Sequence, residues 1–263
     1  MLNLLKRLIA NLVVFAVIYA VGAVILHPRF IYPFDQTPFA QAGFEAQDIG
    51  VEGAPIFVGT APGDGPAVLY LMGNAGSLAL FSRALEIHRA AGRYVVGLEY
   101  PGGAGRPGEP SEALIKSQAL AAYDWLDAQT DAPIVLHGYS LGTSVALYVA
   151  SERDPAGIVL DAPFARMCEQ MARRSQLPAC WLPGVQKWDS LALASEIDGP
   201  VLIQHGVEDT LALLNDGARL AEALRAADVE VAFYPVDGGT HTNLIDGPDY
   251  ERLISEFIAD VMQ

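Results

Sequence analysis

Positive charge is scarce in this sequence. Lys and Arg number 16 against 31 Asp and Glu in 263 residues, so the formal net charge at pH 7 is −15. Nucleic-acid binding needs a clustered positive surface that releases counterions from phosphates, and we find no basic patch of that kind. The composition therefore argues against a nucleic-acid partner, and the hydrophobic share of 52% argues against a disordered chain.

Cysteine and histidine are also few. The two cysteines, Cys168 and Cys180, lie twelve positions apart, and five histidines are spread over the chain. In an oxidising compartment the cysteines could close a short loop as a disulfide, and two free thiols are the alternative. No further Cys or His pair has the spacing of zinc ligands, so we expect neither a metal nor an organic cofactor.

One long apolar run stands near the N-terminus. From Leu8 to Leu26 it contains a single strongly polar side chain, Asn11. A helix over this run spans roughly 28 Å, close to the thickness of a bilayer core. We therefore expect an uncleaved membrane anchor over residues 1–27.

Two alternatives to an anchor remain open. A cleaved signal peptide is the stronger one, because Val21-Gly22-Ala23 offers a small-residue cleavage site. A buried helix of a soluble protein is weaker, since it would carry a polar stripe. Lys6 and Arg7 precede the run. For an anchor and for a signal peptide alike, the rest of the chain is therefore expected to cross the membrane and to be periplasmic in a bacterium.

Residues 28–263 read as one domain of alternating strands and helices. FEAQDIGVE and APIFVGTA predict a first, antiparallel strand pair. Six glycine-bounded apolar runs predict buried strands, namely AVLYLMG, YVVGLEYPG, PIVLHGYS, GIVLDAPF, PVLIQHG and VEVAFYPV. Amphipathic stretches follow most of them and predict helices. The pattern predicts an α/β fold with a mostly parallel sheet, helices on both faces and ligands at the carboxyl ends of the strands.

One interval breaks this alternation. About thirty residues separate GIVLDAPF from PVLIQHG, and they contain both cysteines, two tryptophans and several prolines. Long excursions between strands of a compact α/β domain often cover an active site. We expect a lid-like insertion over about 165–198, with an additional helix pair of no special role as the alternative.

The segment Gly138-Tyr139-Ser140-Leu141-Gly142 lies between the strand-like PIVLH and a helix-like run. A G-x-S-x-G pattern in this setting predicts a sharp bend that exposes a nucleophilic serine. The glycines permit the bend, and the amide of Leu141 at the start of the helix is placed to stabilise an oxyanion. We identify Ser140 as the candidate nucleophile.

A serine nucleophile needs a base, which in this architecture comes later in the chain. His241, in VDGGTHTN after the last predicted strand, is the candidate that remains. The other four histidines fall in the N-terminal segment, inside a helix, inside a strand and at a strand end: His27, His88, His137 and His205.

The third member must be a carboxylate that orients His241. Asp209 follows the penultimate strand and fits the order serine, acid, histidine. Its neighbour Glu208 and the strand-end Asp161 are the alternatives. A second oxyanion donor is expected from the loop MGNAGS, where the amide of Asn74 is the candidate.

A resemblance covers nearly the whole chain. FIYPFDQTP, MGNAGS, EYPGGAGRPGEPSE, GYSLGTSVA, DAPF, PVLIQHGVEDT and GGTHTN occur in the order seen in membrane-anchored α/β-hydrolase-domain serine hydrolases, a branch with peptidase-like, depalmitoylating and lysophospholipase-like members. The resemblance implies the α/β-hydrolase fold with Ser140, Asp209 and His241 as triad. This sequence departs from the family in carrying Met72 where histidine is usual, and in reading EYPGGAG in a loop where the family usually has an aspartate and an aromatic at positions of its own.

These features predict a membrane-anchored serine hydrolase of an acyl ester or thioester, with a lipid-like or small-molecule substrate. A peptidase or amidase and a cofactor-free perhydrolase could use the same triad. A non-catalytic membrane-anchored binding scaffold is the more distant alternative, since a fold alone does not decide function.

Overall fold

The protein is described from a computed structural model that covers residues 2–50 and 56–262. Eight strands form one sheet: β1 (Glu45–Asp48), β2 (Phe57–Ala61), β3 (Ala67–Leu71), β4 (Tyr94–Glu99), β5 (Ile134–Tyr139), β6 (Gly157–Asp161), β7 (Val201–Gly206) and β8 (Val231–Val236). All six predicted buried runs form strands. Part of the first predicted strand pair, residues 51–55, lies outside the described residues.

The strand order is β1-β2-β4-β3-β5-β6-β7-β8. The pairs β1–β2 and β2–β4 are antiparallel, and every later pair is parallel. The prediction of a mostly parallel sheet with an antiparallel first pair is therefore confirmed. Between β3 and β5 the order of the strands changes direction, and this is where open α/β sheets form their ligand crevice.

Eight α-helices accompany the sheet within the described residues: α1 (Leu2–Ile31), α2 (Ser82–Ala90), α3 (Glu112–Asp127), α4 (Leu141–Glu152), α5 (Met167–Ser175), α6 (Ser190–Leu193), α7 (Leu214–Ala226) and α8 (Tyr250–Val261). Local signals explain where some of them begin. The side chain of Ser111 accepts a hydrogen bond from the amide of Leu114 and caps α3, and Asp189 caps α6 through the amide of Ala192.

Side chains alternate across the sheet and supply two cores. Val68, Val135, Val159 and Leu202 point to one face, where Ile254 of α8 packs against them. Their neighbours along the strands belong to the larger core on the other face, which α3, α4 and α7 cover. The period-two alternation of buried strands thus places helices on both faces, as predicted.

Helix α1 continues through Pro28 to Ile31, beyond the predicted apolar run. Among the described residues it is the one helix long and apolar enough to cross a membrane, over Asn3–Ile31, and its most apolar 18-residue window has a mean hydropathy of 2.6. Its C-terminal end contacts the rest of the protein, because Ile31 is buried and the amide of Gln186 donates to Nε2 of His27 over 3.1 Å. The helix is compatible with membrane anchoring.

The interval between β6 and β7 contains α5, α6 and two short 3-10 helices, Ala179–Trp181 and Ala194–Glu196. Cys168 and Cys180 form a disulfide within it, which settles the alternative left open by the sequence. Ser190 anchors the later part to the domain, since its hydroxyl lies 3.0 Å from that of Ser144 on α4. Whether this segment acts as a lid stays a prediction.

Candidate active site

Ser140 lies on a sharp bend between β5 and α4. Its φ of 51° and ψ of −111° fall in a region that costs a non-glycine residue about 1–3 kcal/mol. A Cβ on Gly138 would come within 2.4 Å of the carbonyl oxygen of Gly142, and a Cβ on Gly142 within 1.8 Å of that of Leu71. Both flanking glycines are therefore required by close backbone approach.

His241 reaches Ser140 from the loop after β8. Nε2 of His241 lies 2.9 Å from Oγ of Ser140, and Nδ1 of His241 lies 2.7 Å from Oδ2 of Asp209. A carboxylate only accepts, so Nδ1 carries the proton and Nε2 is free to accept the serine hydroxyl proton. The structure thus brings together the three residues that the sequence proposed as a triad.

Asp209 is oriented by its own loop. Its Oδ1 accepts hydrogen bonds from the amides of Leu211 at 2.8 Å and Ala212 at 2.9 Å, which leaves Oδ2 for His241. Nε2 of His205 lies 2.9 Å from the carbonyl oxygen of Ala212 and can donate to it, while burial lowers the pKa of His205. A neutral His205 therefore supports the loop that holds the carboxylate.

Backbone contacts fix the loops after β7 and β8 to each other. The amide of Glu208 donates to the carbonyl oxygen of Gly239 over 2.8 Å, and a Cβ on Gly206 would come within 2.4 Å of that same oxygen. The side chain of Glu208 is exposed, and no hydrogen bond or ion pair joins it to His241. Of the two neighbouring carboxylates, Asp209 is the one that the structure brings to the histidine.

The proposed oxyanion donors lie at the ends of two neighbouring strands. Leu71 of β3 pairs with Gly138 of β5, so the MGNAGS loop runs beside Ser140. A Cβ on Gly73 would be 3.4 Å from Cβ of Ser140. Within the described part of the chain, the amides of Asn74 and Leu141 donate no hydrogen bond. Both are therefore available to a ligand, and their role in binding an oxyanion stays a prediction.

Asp161 belongs to a separate buried network. Its Oδ2 lies 2.8 Å from Nε2 of His137 and also accepts the hydroxyl of Tyr250, while Nδ1 of His137 lies 2.7 Å from Nε2 of His88. Nδ1 of His88 lies 2.9 Å from a guanidinium nitrogen of Arg93. A guanidinium group only donates, so Nδ1 of each imidazole accepts a hydrogen bond and Nε2 donates one. Donation therefore runs in one direction, from the arginine to the carboxylate.

This network engages the carboxylate of Asp161 and leaves its backbone for Ser140. The amide of Ser140 donates to the carbonyl oxygen of Asp161 over 2.8 Å. Burial lowers the pKa of His88 well below its usual value, so the imidazole is neutral. In the sequence, His88 and His137 lie inside a predicted helix and a predicted strand, with no motif that gives either a role. Strand and helix periodicity would have marked both as core positions, but only the fold shows that they pair.

Tyr139 is a further residue of the site whose contacts the sequence does not reveal. Its hydroxyl donates to the backbone carbonyl oxygen of His241, and its ring centroid is 5.6 Å from that of the imidazole. Burial raises the pKa of Tyr139, so the hydroxyl stays protonated and can donate. The residue before Ser140 thereby holds the loop that carries His241.

Glu99 ends β4 beside the end of the MGNAGS loop. Its Oε1 accepts the amide of Leu78 over 3.3 Å, and its other oxygen has no hydrogen-bond partner among the described residues. Burial raises the pKa of Glu99 to about 7. This carboxyl is therefore partly protonated near neutral pH, and it supports the segment that follows MGNAGS.

Met72 and the loop EYPGGAG, where the sequence departs from the family that it resembles, lie close together. Met72 is buried, and its carbonyl oxygen accepts the hydroxyl of Tyr100 over 2.8 Å. In the loop EYPGGAG, a Cβ on Gly103 would come within 1.9 Å of the carbonyl oxygen of Gly76. The glycines of this loop thus let it pack directly on MGNAGS. Within the described residues, no group of three or more His, Cys, Asp or Glu side chains is arranged to hold a metal.

Comparison with known proteins identifies the family. A Mycobacterium tuberculosis protein of uncharacterised function is 34% identical over 226 residues, which cover 82% of this chain and 78% of that protein. The lysophosphatidylserine lipases of Xenopus tropicalis and Rattus norvegicus are 26% and 28% identical over 75% and 73% of this chain. The chain belongs to the α/β-hydrolase family of serine hydrolases. It spans 58% and 56% of the two lipases, so it matches little more than half of each.

Solved structures share the fold of this hydrolase. An esterase of Pyrococcus furiosus superposes with a TM-score of 0.70 at 18% identity, covering 87% of this chain and 98% of the esterase. An esterase/lipase from an uncultured bacterium superposes with a TM-score of 0.62 at 23% identity, covering 86% of this chain and 87% of the esterase/lipase. The predicted α/β-hydrolase fold is confirmed. No family model matches the hydrolase.

Proposed function

We propose that this hydrolase cleaves an acyl ester or thioester through Ser140, His241 and Asp209. The observation that carries the proposal is the continuous hydrogen-bonded series from Asp209 through His241 to the serine on its strained bend. The similarity to lysophosphatidylserine lipases supports an ester with a lipid-like acyl chain as substrate.

The reaction has two halves. His241 Nε2 takes the proton of Ser140 as Oγ attacks the acyl carbonyl carbon, and the amides of Leu141 and Asn74 bind the resulting oxyanion. The tetrahedral intermediate collapses when the proton on Nε2 passes to the leaving alkoxide or thiolate. Water then attacks the acyl-enzyme with the same base, and release of the carboxylic acid returns the proton to Oγ.

The proposal includes a division of the chain. Residues 1–27 anchor the protein in a membrane, residues 28–263 form the hydrolase domain, and the insertion over about 165–198 is its lid. The positive charges ahead of the anchor support an extracytoplasmic domain, which is periplasmic in a bacterium. The Cys168–Cys180 disulfide supports the same side, since disulfides persist in oxidising compartments.

Activity-based labelling tests the chemistry. We expect a fluorophosphonate probe to label the purified full-length protein in detergent, and Ser140→Ala and His241→Ala to lose the label. Ser151→Ala is the matched control, because Ser151 lies on the same helix with its hydroxyl bound to a backbone carbonyl. A folded wild type that does not label would overturn the hydrolase proposal and favour a binding scaffold.

The substrate is tested with matched acyl groups on three leaving groups. We expect turnover of an ester and a thioester of one acyl chain, and a rise in kcat/KM as the chain lengthens. Faster cleavage of the corresponding amide would favour a peptidase, and peroxide-dependent halogenation with a small acid would favour a perhydrolase. Protease protection of a C-terminal tag in vesicles of known orientation tests the side of the membrane.

A further inference from the structure

A large cavity lies away from the proposed triad, between α1 and the insertion. Its volume is about 470 Å³, within the range of about 300–1,000 Å³ usual for small-ligand sites. One wall is the C-terminal half of α1, including Gly22 and Leu26, and the other is α5 with the segment after it, including Met171, Leu177 and Leu182. The lining is mainly aliphatic, and it contains none of the triad residues.

Specific contacts hold the two walls together. The hydroxyl of Tyr19 donates to the carbonyl oxygen of Ser175 over 2.9 Å. The amide of Gln186 donates to Nε2 of His27, whose Nδ1 lies 2.6 Å from the carbonyl oxygen of Val24 and donates to it. Within the insertion, the disulfide joins α5 to the 3-10 helix that follows it. The cavity is therefore bounded by fixed contacts on both sides.

The length of α1 places the cavity near a membrane surface. Thirty residues of helix extend about 45 Å, whereas the hydrocarbon core of a bilayer is about 30 Å thick. If the apolar run from Leu8 to Leu26 spans that core, the residues of α1 from His27 onward reach the headgroup region, and the cavity wall from Ile18 to Leu26 lies in the adjacent half of the hydrocarbon core. Trp181, beside the cavity, is 88% exposed, and tryptophan is enriched at the headgroup level.

The cavity also carries a positive charge at its edge. Arg174 lines it, is exposed, and forms no ion pair with any described residue. Its neighbour Arg173, in contrast, bonds Asp216 at 2.7 Å. An unpaired guanidinium in a protein of net charge −15 is complementary to a phosphate, which it can bind through two parallel hydrogen bonds.

We propose that this cavity binds a phospholipid of the surrounding bilayer, with one acyl chain between α1 and α5 and the phosphate on Arg174. The inference rests on the proposed membrane anchoring and concerns a site separate from the reacting serine. Continuity of the apolar wall with the membrane helix accounts for the acyl chain, and the free guanidinium accounts for the headgroup. The bound lipid fills the gap between anchor and insertion and so fixes the hydrolase domain at the membrane surface.

Filling the cavity tests the acyl-chain site. Nothing lies within 4 Å of a Cβ built on Gly22, so Gly22→Trp places an indole in the cavity without a backbone clash. Val21→Trp is the matched control, because Val21 is exposed on the same helix turn and does not line the cavity. Arg174→Gln tests the phosphate contact, and Lys187→Gln removes one charge from the insertion outside the cavity.

The measurement is phospholipid retained by protein purified in mild detergent, together with photocrosslinking in nanodiscs that contain phosphatidylglycerol with a diazirine acyl chain. We expect the wild type to retain a single phospholipid and to crosslink within Met167–Val185. Gly22→Trp should lose the retained phospholipid and the crosslinks, and Arg174→Gln should lose the retained phospholipid. Both control variants should match the wild type.

Three results would overturn the site: equal retention in Gly22→Trp and Val21→Trp, equal retention in Arg174→Gln and Lys187→Gln, or crosslinks confined to the N-terminal part of α1. Ser140→Ala separates this inference from the proposed function, because its lipid retention should equal that of the wild type. Retention that depends on Ser140 would mean a bound substrate and would also overturn the proposal. Circular dichroism of each variant confirms folding independently of activity.

Discussion

Replacing Asp209 by Asn tests the triad most sharply, because the structure dictates how the amide must lie. The amides of Leu211 and Ala212 both donate to Oδ1. If the asparagine turned its NH2 group toward them, two backbone donors would be left unpaired, at about 1–3 kcal/mol each. The side chain of Asp209→Asn therefore keeps its oxygen on the loop and presents NH2 to His241.

That orientation reverses the tautomer of the histidine. Nδ1 of His241 must then accept, so the proton moves to Nε2 and points at Ser140, where no base remains to take the hydroxyl proton. The same exchange in a serine protease triad lowers kcat on the order of 10⁴-fold. This factor corresponds to about 5 kcal/mol of transition-state stabilisation.

The assay is kcat/KM on a p-nitrophenyl ester, together with the second-order rate of fluorophosphonate labelling. We expect both rates for Asp209→Asn to fall by about three to four orders of magnitude, with a melting temperature close to that of the wild type because both backbone hydrogen bonds survive. Glu208→Gln removes the adjacent exposed carboxylate and should leave both rates unchanged. A folded Asp209→Asn protein within tenfold of wild-type activity would refute the assignment.

Three further predictions concern stability. Glu99→Gln should stabilise the protein above pH 7 by up to about 3 kcal/mol. The pKa of Glu99 is about 7 in the folded protein against 4.5 for a free carboxyl, so wild-type stability falls as the pH rises through that window. Urea unfolding at pH 4.5 and pH 8 measures the difference between the two proteins. Cys168→Ser with Cys180→Ser should cost about 3 kcal/mol in the chain-entropy treatment of a short loop, measured as lowered resistance to denaturant. Gly142→Ala should cost several kcal/mol, since its Cβ would meet the carbonyl oxygen of Leu71 at 1.8 Å; the expected result is loss of soluble folded protein.

Each of these has a result that contradicts it. A Glu99→Gln protein whose advantage is the same at pH 4.5 and pH 8 would show that titration of this carboxyl is not the cause. For the disulfide, reductant should destabilise the wild type and leave the double serine variant unaffected, and a wild type insensitive to reductant would count against the prediction. Wild-type melting behaviour in Gly142→Ala would refute the close approach at the bend.

Local sequence determined much of the fold and of the proposed site. The buried strands could be predicted from the sequence because their apolar runs are too short for helices and are bounded by glycine. Ser140 was readable because the bend that exposes it needs glycine on both sides, and this requirement is local. Chain order pointed to His241 and made Asp209 the leading carboxylate, with Asp161 and Glu208 as alternatives, since strands of a parallel sheet present their following loops at one edge.

Tertiary structure decided what depends on contacts between distant segments. The choice of Asp209 over Asp161 rests on the partner of each carboxylate. Asp209 is hydrogen-bonded to His241, whereas Asp161 is hydrogen-bonded to His137. His88, 49 residues away from His137, pairs with it only through the packing of α2 on the sheet. The cavity beside Arg174 likewise needs α1 and the insertion to meet. Hydrophobic periodicity specifies which face of a helix or strand is buried. It does not specify which polar side chain from a distant part of the sequence will pair with a polar side chain on that face.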